Sequence, residues 1–166
     1  MKSQLLVMCL ALLVSGCGIF STQDENVLVV AKQVLDQQKD ANGEPRRVDL
    51  PVRINYAVSR KAMVDQDMEI DFEFITEQPI PVLRFGVETS EGLELVSSNI
   101  RERYESLKIR QVINRRVIVA PTSEDKFYLN LYVVTETGED KRARLVRVPI
   151  AVGDYSLSDN PPSRPQ

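Results

Sequence analysis

The sequence predicts an all-β fold, an antiparallel sandwich of about seven strands. Three observations lead there. From Leu50 to Val152 the apolar residues recur with a period of two, which marks strands with one buried face. Turn signals interrupt this pattern at Asp65-Gln66, Glu77-Gln78-Pro79, Pro121-Thr122-Ser123 and Thr137-Gly138-Glu139-Asp140. No long helical repeat separates the strands, so nothing supplies the crossovers of a parallel sheet.

The strands follow in order. In LPVRINYAV, Val52, Ile54, Tyr56 and Val58 point one way, with Arg53 and Asn55 opposite. In QDMEIDFEFI, Met68, Ile70, Phe72 and Phe74 alternate with Glu69, Asp71 and Glu73. In PVLRFGVE, Leu83, Phe85 and Val87 alternate with Arg84, Gly86 and Glu88. A short LELV comes next, then RRVIVA, KFYLNLYVV and ARLVRVPIAV. In the last of these Val146, Val148, Ile150 and Val152 share a face. The aromatics Tyr56, Phe72, Phe74, Phe85, Phe127 and Tyr128 fall on the apolar alternation and are expected in the core. Ser98 to Val112 reads either as a long loop or as a short irregular strand pair, with Ile100, Tyr104, Leu107 and Ile109 set among Arg and Glu.

Residues 17–48 are expected to act mainly as a tether leading to a domain at 49–153. DENVLVVAKQVLDQQKD fits an amphipathic helix capped by Asp24, with Val27, Val30, Ala31, Val34 and Leu35 on one side. It fits equally an extended VLVVA laid along a sheet edge. DANGEPRR is turn and linker, and the Pro- and Ser-rich 154–166 segment is expected to be disordered.

The N-terminus has a different character. Lys2 is followed by a nearly continuous apolar run from Leu5 to Val14, then by the small residues Ser15 and Gly16 and by Cys17. Charge, apolar core and small-residue cleavage site, in that order, make a secretory signal peptide over 1–16. About ten apolar residues are too few for a helix to cross a hydrocarbon core of ~30 Å.

Leu13-Val14-Ser15-Gly16-Cys17 resembles the lipobox of bacterial lipoproteins, with Val14 where Leu is commonest. The resemblance implies a thioether-linked diacylglycerol on Cys17, cleavage before it, and acylation of the new amine. With Gly18 rather than Asp after the cysteine, it also implies sorting to the outer membrane, facing the periplasm. Further on, VDQDMEIDFEF, FGVETSEGLEL, APTSEDKFYLNLYVV and RVPIAVGD resemble the strands of immunoglobulin-like domains in bacterial envelope proteins. That likeness implies an immunoglobulin-like β-sandwich; the sequence departs from the family pattern in having no inter-sheet cysteines and no core Trp. The likeness also implies a tyrosine-corner role for Tyr128, its hydroxyl bonding back to backbone. DANGEPRRVDLPVRINYAV resembles the first strand of the sandwich lipoproteins that dock type VI secretion membrane complexes, which implies an accessory role in such an assembly.

Composition narrows the function. There is no His and no Trp. Without His, Ser-His-Asp and Cys-His catalysis are excluded, and zinc, copper and haem lose their usual ligands. Cys9 leaves with the signal and Cys17 takes lipid, so no thiol or disulfide is left. No glycine-rich phosphate loop is present. A wall- or glycan-acting enzyme would need paired carboxylates, and none stands out. The expectation is therefore a non-catalytic module with no cofactor or metal. Its expected partners are outer-membrane lipid and an envelope protein. Net charge of −3 argues against nucleic acid.

The charge is uneven. Residues 18–100 carry 8 basic and 15 acidic groups, and residues 101–166 carry 12 and 9. Of the acidic row on the second strand, only Asp65 and Asp67 lie near enough to a turn to suggest calcium, and a solvated strand face explains the row better. Arg115 and Arg116 are expected to pair with Glu69, Asp71 and Glu73 on a neighbouring strand. Arg142, Arg144 and Arg147, on the last strand and its turn, are freer to meet a partner. Tyr132 sits with Asn130 off the core face, as an interface residue or under a second layer.

Overall fold

The computed structural model describes residues 26–40, 42–43, 48–59, 61–98 and 100–153. One helix, α1 (Val27–Gln37), precedes eight strands: β1 (Val52–Val58), β2 (Met68–Thr76), β3 (Ile80–Thr89), β4 (Leu93–Leu95), β5 (Arg101–Leu107), β6 (Val112–Pro121), β7 (Lys126–Thr137) and β8 (Asp140–Ala151). They form two four-stranded antiparallel sheets, ordered β1-β2-β6-β4 and β5-β3-β7-β8. The immunoglobulin-like sandwich expected from the sequence is present, with one more strand.

The extra strand comes from the segment left open. β5 buries Leu107 and turns back through Lys108–Arg110 into β6. Thr76 holds that turn: its hydroxyl donates to the Lys108 carbonyl and accepts the Gln111 N–H at 2.8 Å, while its carbonyl takes the Arg110 N–H at 2.8 Å. Arg110 adopts a left-handed φ of 60° to make this possible. Ile109 lies at the tip and is exposed rather than part of an apolar face.

Alternation builds the core. Ile70, Phe72 and Phe74 of β2 meet Leu83, Phe85 and Val87 of β3 and Leu129, Leu131 and Val133 of β7, all buried. Phe74 stacks on Phe85 across the sheets, with ring centroids 4.5 Å apart. Each such side chain contributes ~1.5–3 kcal/mol on burial. Two expected core aromatics are not in the core. Tyr56 lies on the inward-facing side of edge strand β1 but is 44% exposed, because burial fades along that strand. Tyr128 projects from the other face of β7 and is 38% exposed. Its ring carries the Arg147 guanidinium at 5.2 Å, and among the described residues its hydroxyl has no backbone partner, so it forms no tyrosine corner.

Residues 27–37, within the expected tether, are helical and part of the fold. Asn26 caps α1 by accepting the Leu28 N–H at 3.2 Å; Asp24, the expected cap, lies outside the described residues. A free helix of eleven residues is marginal in water. This one is held by burying Val27, Val30, Ala31 and Val34 against Tyr132, Val134 and Ala143, on the outer face of the second sheet. Its first turn lies directly on β3, where only glycine fits. A Cβ at Gly86 would stand 2.6 Å from Val27 Cγ1 and 3.3 Å from the Ile100 carbonyl oxygen. Gly86→Ala is therefore expected to destabilise the protein by about 1–3 kcal/mol through overpacking. Adding Val27→Ala should recover part of the loss, and chemical denaturation of the two variants reads both effects.

Candidate functional site

Cys17, the expected lipid site, lies outside the described residues. The other expected site residues are placed, and they do not form one patch. Tyr132 is buried under α1. Its hydroxyl donates to Glu88 at 3.0 Å, and Glu88 also takes Lys32 Nζ at 3.0 Å. Lys32 lies 5.5 Å from the Tyr132 ring centre. Tyr132 thus clasps α1 to the sheet, the second-layer alternative, and is not an accessible interface.

The arginines of β8 are split between its faces by strand alternation. Arg142 turns back to Asp140 at 3.0 Å. Arg144 donates to the Val48 carbonyl at 3.2 Å and lies 3.5 Å from Asp49. Arg147, on the opposite face, reaches Asn130 at 3.3 Å. Each has an intramolecular partner. The backbone edge of β8 is also attended. With its amide turned to the orientation that its neighbours require, the Gln38 side chain donates to the Ala143 carbonyl at 2.9 Å and accepts its N–H at 3.1 Å, as a paired strand would. Further along, Pro149 offers no N–H, and Val152 bridges to Ala62.

The first sheet holds what the sequence did not show. Arg116 pairs with Asp71 at 2.8 Å and Glu69 at 3.0 Å, as expected. Arg115 does not join them. It lies opposite Phe72 in register, so its side chain leaves from the other face. From there it crosses to β5, where it meets Glu102 at 2.6 Å and the Tyr104 hydroxyl, and that hydroxyl donates to Glu102. Tyr104 in turn stacks on Phe85 at 5.9 Å. This network laces β5 to β6 where no backbone pairing joins them. On the same sheet a shallow depression of 690 Å³ is lined by Asn55, Ala57, Asp71, Glu73, Asn114 and Arg116, among others. Asn55 donates to Glu73 at 2.9 Å within it. Among the described residues no group of three or more His, Cys, Asp or Glu is placed to hold a metal, and no helix is long and apolar enough to cross a membrane.

Two titrations follow from these contacts. The hydrogen bond from Lys32 holds the Glu88 carboxyl below its ordinary value, with Tyr132 adding to the effect. A carboxyl depressed in the folded state stabilises the fold above its unfolded pKa and loses that stabilisation as pH falls through the folded one. Both partners are more than a third exposed, so the contribution is under ~1 kcal/mol. Lys32→Met is expected to remove that much of the stability loss seen on acidification below about pH 4.5, measured by urea unfolding at stepped pH. Tyr104 is pushed up to about 12, first by burial and then by Glu102. Burial and Glu88 also raise Tyr132, so both phenols should ionise late in an absorbance titration, and Tyr104→Phe should remove the Tyr104 share of that late step. The unfolded chain releases this proton first, so stability falls as pH rises from about 10 toward 12.

No protein-family model matches this sequence, and no curated protein matches it. Solved structures do resemble it in fold. The sandwich superposes on native α2-macroglobulin from Escherichia coli in a crystal structure spanning domain MG7 to the C-terminus (TM-score 0.53, 18% identity, 62% of this chain and 16% of that one). It also superposes on the native conformation of the E. coli protein seen by electron microscopy (TM-score 0.54, 16% identity, 63% and 7%). The chain therefore spans a small fraction of the length of both. A conjugative transposon lipoprotein from Bacteroides eggerthii fits only loosely (TM-score 0.36, 18% identity, 60% and 97%), too loosely to speak for fold or function. At such identities the likeness is one of fold, an immunoglobulin-like β-sandwich, and fold alone does not carry function.

Proposed function

We propose that this protein is a non-catalytic, lipid-anchored binding or scaffolding module of the bacterial cell envelope. One observation carries the reading: a lipobox-like LVSGC stands only nine residues before a helix packed on the sandwich. At about 3.3–3.6 Å per extended residue, those nine reach on the order of 30 Å. A lipid on Cys17 would thus keep the domain close to the membrane surface. Each buried methylene contributes about 0.8 kcal/mol, so several chains on one residue anchor firmly. Confinement of that kind raises the local concentration of the domain toward membrane-bound partners.

The test is metabolic labelling with a clickable palmitate analogue, followed by crosslinked pull-down from native membranes, with Cys17→Ser beside wild type. Wild type is expected to carry label, fractionate with outer membrane and recover a partner, and Cys17→Ser to lose all three. Equal labelling of the two forms overturns the anchor. A multi-subunit secretion complex among the recovered proteins would identify the assembly as the type VI-like one.

A further inference from the structure

The fourth row of the first sheet is incomplete. β4 pairs with β6 only through Leu93, Glu94 and Leu95, opposite Pro121, Ala120 and Val119. The chain then leaves. The N–H groups of Val96 and Ser97 both donate to the Ile118 carbonyl, and the Ile118 N–H donates to Ser97 Oγ at 3.1 Å. Soon afterwards the Ile100 carbonyl takes the Val87 N–H in the other sheet. Ile118 therefore directs its backbone groups toward the β4 side. The Gln111 carbonyl points the opposite way, to Thr76 at the end of β2. Because direction alternates along a strand, Val112, Asn114 and Arg116 present theirs to the row that β4 has vacated. All three residues are exposed. Among the described residues no backbone group pairs with them there; the Asn114 carbonyl alone is taken, by Arg115 Nη1 at 3.1 Å.

This vacancy has walls. The end of β4 closes one end, the Lys108–Arg110 turn closes the other, and the Arg115–Glu102–Tyr104 network spans the gap to β5. From Val112 to Ile118 is ~20 Å of strand, room for a guest of about five residues. The other edges are less inviting. β8 is covered at Ala143 and lacks a donor at Pro149, and β5 is interrupted by Ser106 at a left-handed φ of 54°. β1 ends its row.

The slot also sets the chemistry of its occupant. A guest continuing the line of β4 runs antiparallel to β6, so its C-terminal end arrives at the turn. There Lys108 and Arg110 are exposed, and among the described residues neither side chain has a carboxylate partner. Val112 and Ile109, each at least half exposed, offer apolar surface beside them. We propose that the edge of β6 from Val112 to Arg116 binds an extended, acid-ended segment of a partner protein as an added antiparallel strand. This rests on the binding-module reading. Main-chain pairing supplies affinity in such complexes, and alternate side chains with the end charge supply specificity.

The test is panning of a phage-displayed library of random linear peptides on the lipidated protein in detergent, followed by amide hydrogen exchange. Enriched peptides should alternate apolar residues and end in Asp or Glu, and they should protect the Asn114 and Arg116 amides. Asn114→Pro removes an edge donor that no internal bond uses, and should weaken them at least ~10-fold. Lys108→Glu with Arg110→Glu leaves the edge intact and should reverse the preference toward Lys- or Arg-ended peptides. Protection at β1, β5 or β8 overturns the slot, as does indifference to the charge reversal. No enriched peptide, with a partner still recovered by crosslinking, places binding elsewhere and leaves the module reading standing. Neither peptide nor crosslinked partner removes both.

Discussion

The constraint on which the rest depends is that β7 is covered on both faces. Five consecutive residues, Leu131 to Thr135, are buried. A strand with one wet face would bury every second one. Leu131 and Val133 face the other sheet, so Tyr132 and Val134 need a cover of their own, and α1 provides it. The same holds on β3, where Leu83 to Val87 are buried in succession. Gly86 is the point of closest approach between helix and sheet, and the Lys32–Glu88–Tyr132 contacts fix the helix along its length. The helix is thus a third layer, required by the composition of the strands beneath it.

Much of this was legible in the sequence. The alternation of Met68, Ile70, Phe72 and Phe74 named the inner face of β2 because no described residue layers over its other face. The helical spacing of Val27, Val30, Ala31 and Val34 named the packed side of α1. The choice between helix and extended edge was not legible, because it is made by the surface that receives the segment. YVV in β7 carries the trace of that surface: three apolar residues running on where alternation should have resumed. Tyr128 misled because it adjoins Phe127 and cannot share its face; Tyr56 misled for a reason related to that surface. Periodicity tells which side of a strand a residue takes, not how far the opposing layer extends over it.

The polar sites were harder to see. Arg115 and Arg116 are neighbours in sequence and point to opposite faces, so one completes a cross-strand pair and the other bridges two sheets. The β6 edge gave no signal in its own residues. It follows from the shortness of LELV and the departure of the chain at Ser97 toward the second sheet. A strand edge is defined by what does not lie beside it, and that is a property of topology. By contrast, Gln38 shows how little is needed to close an edge. One N–H and the carbonyl oxygen of a single primary amide occupy Ala143 as a neighbouring strand would.

The position of α1 also decides how the molecule carries load. Any tension entering from the residues before Asn26 meets the helix before it meets a strand. The helix is seated by a few valines, an alanine and one largely exposed ion pair, and its first turn is the part nearest the pull. Such a contact opens one turn at a time, from Val27 toward Gln38, while the long β7–β8 ladder and the stack of Phe74 on Phe85 stay unloaded. The helix would open before β1 is drawn. The fold thus has a sacrificial first stage in series with its core, and a tug on the chain lengthens the molecule before it unfolds it.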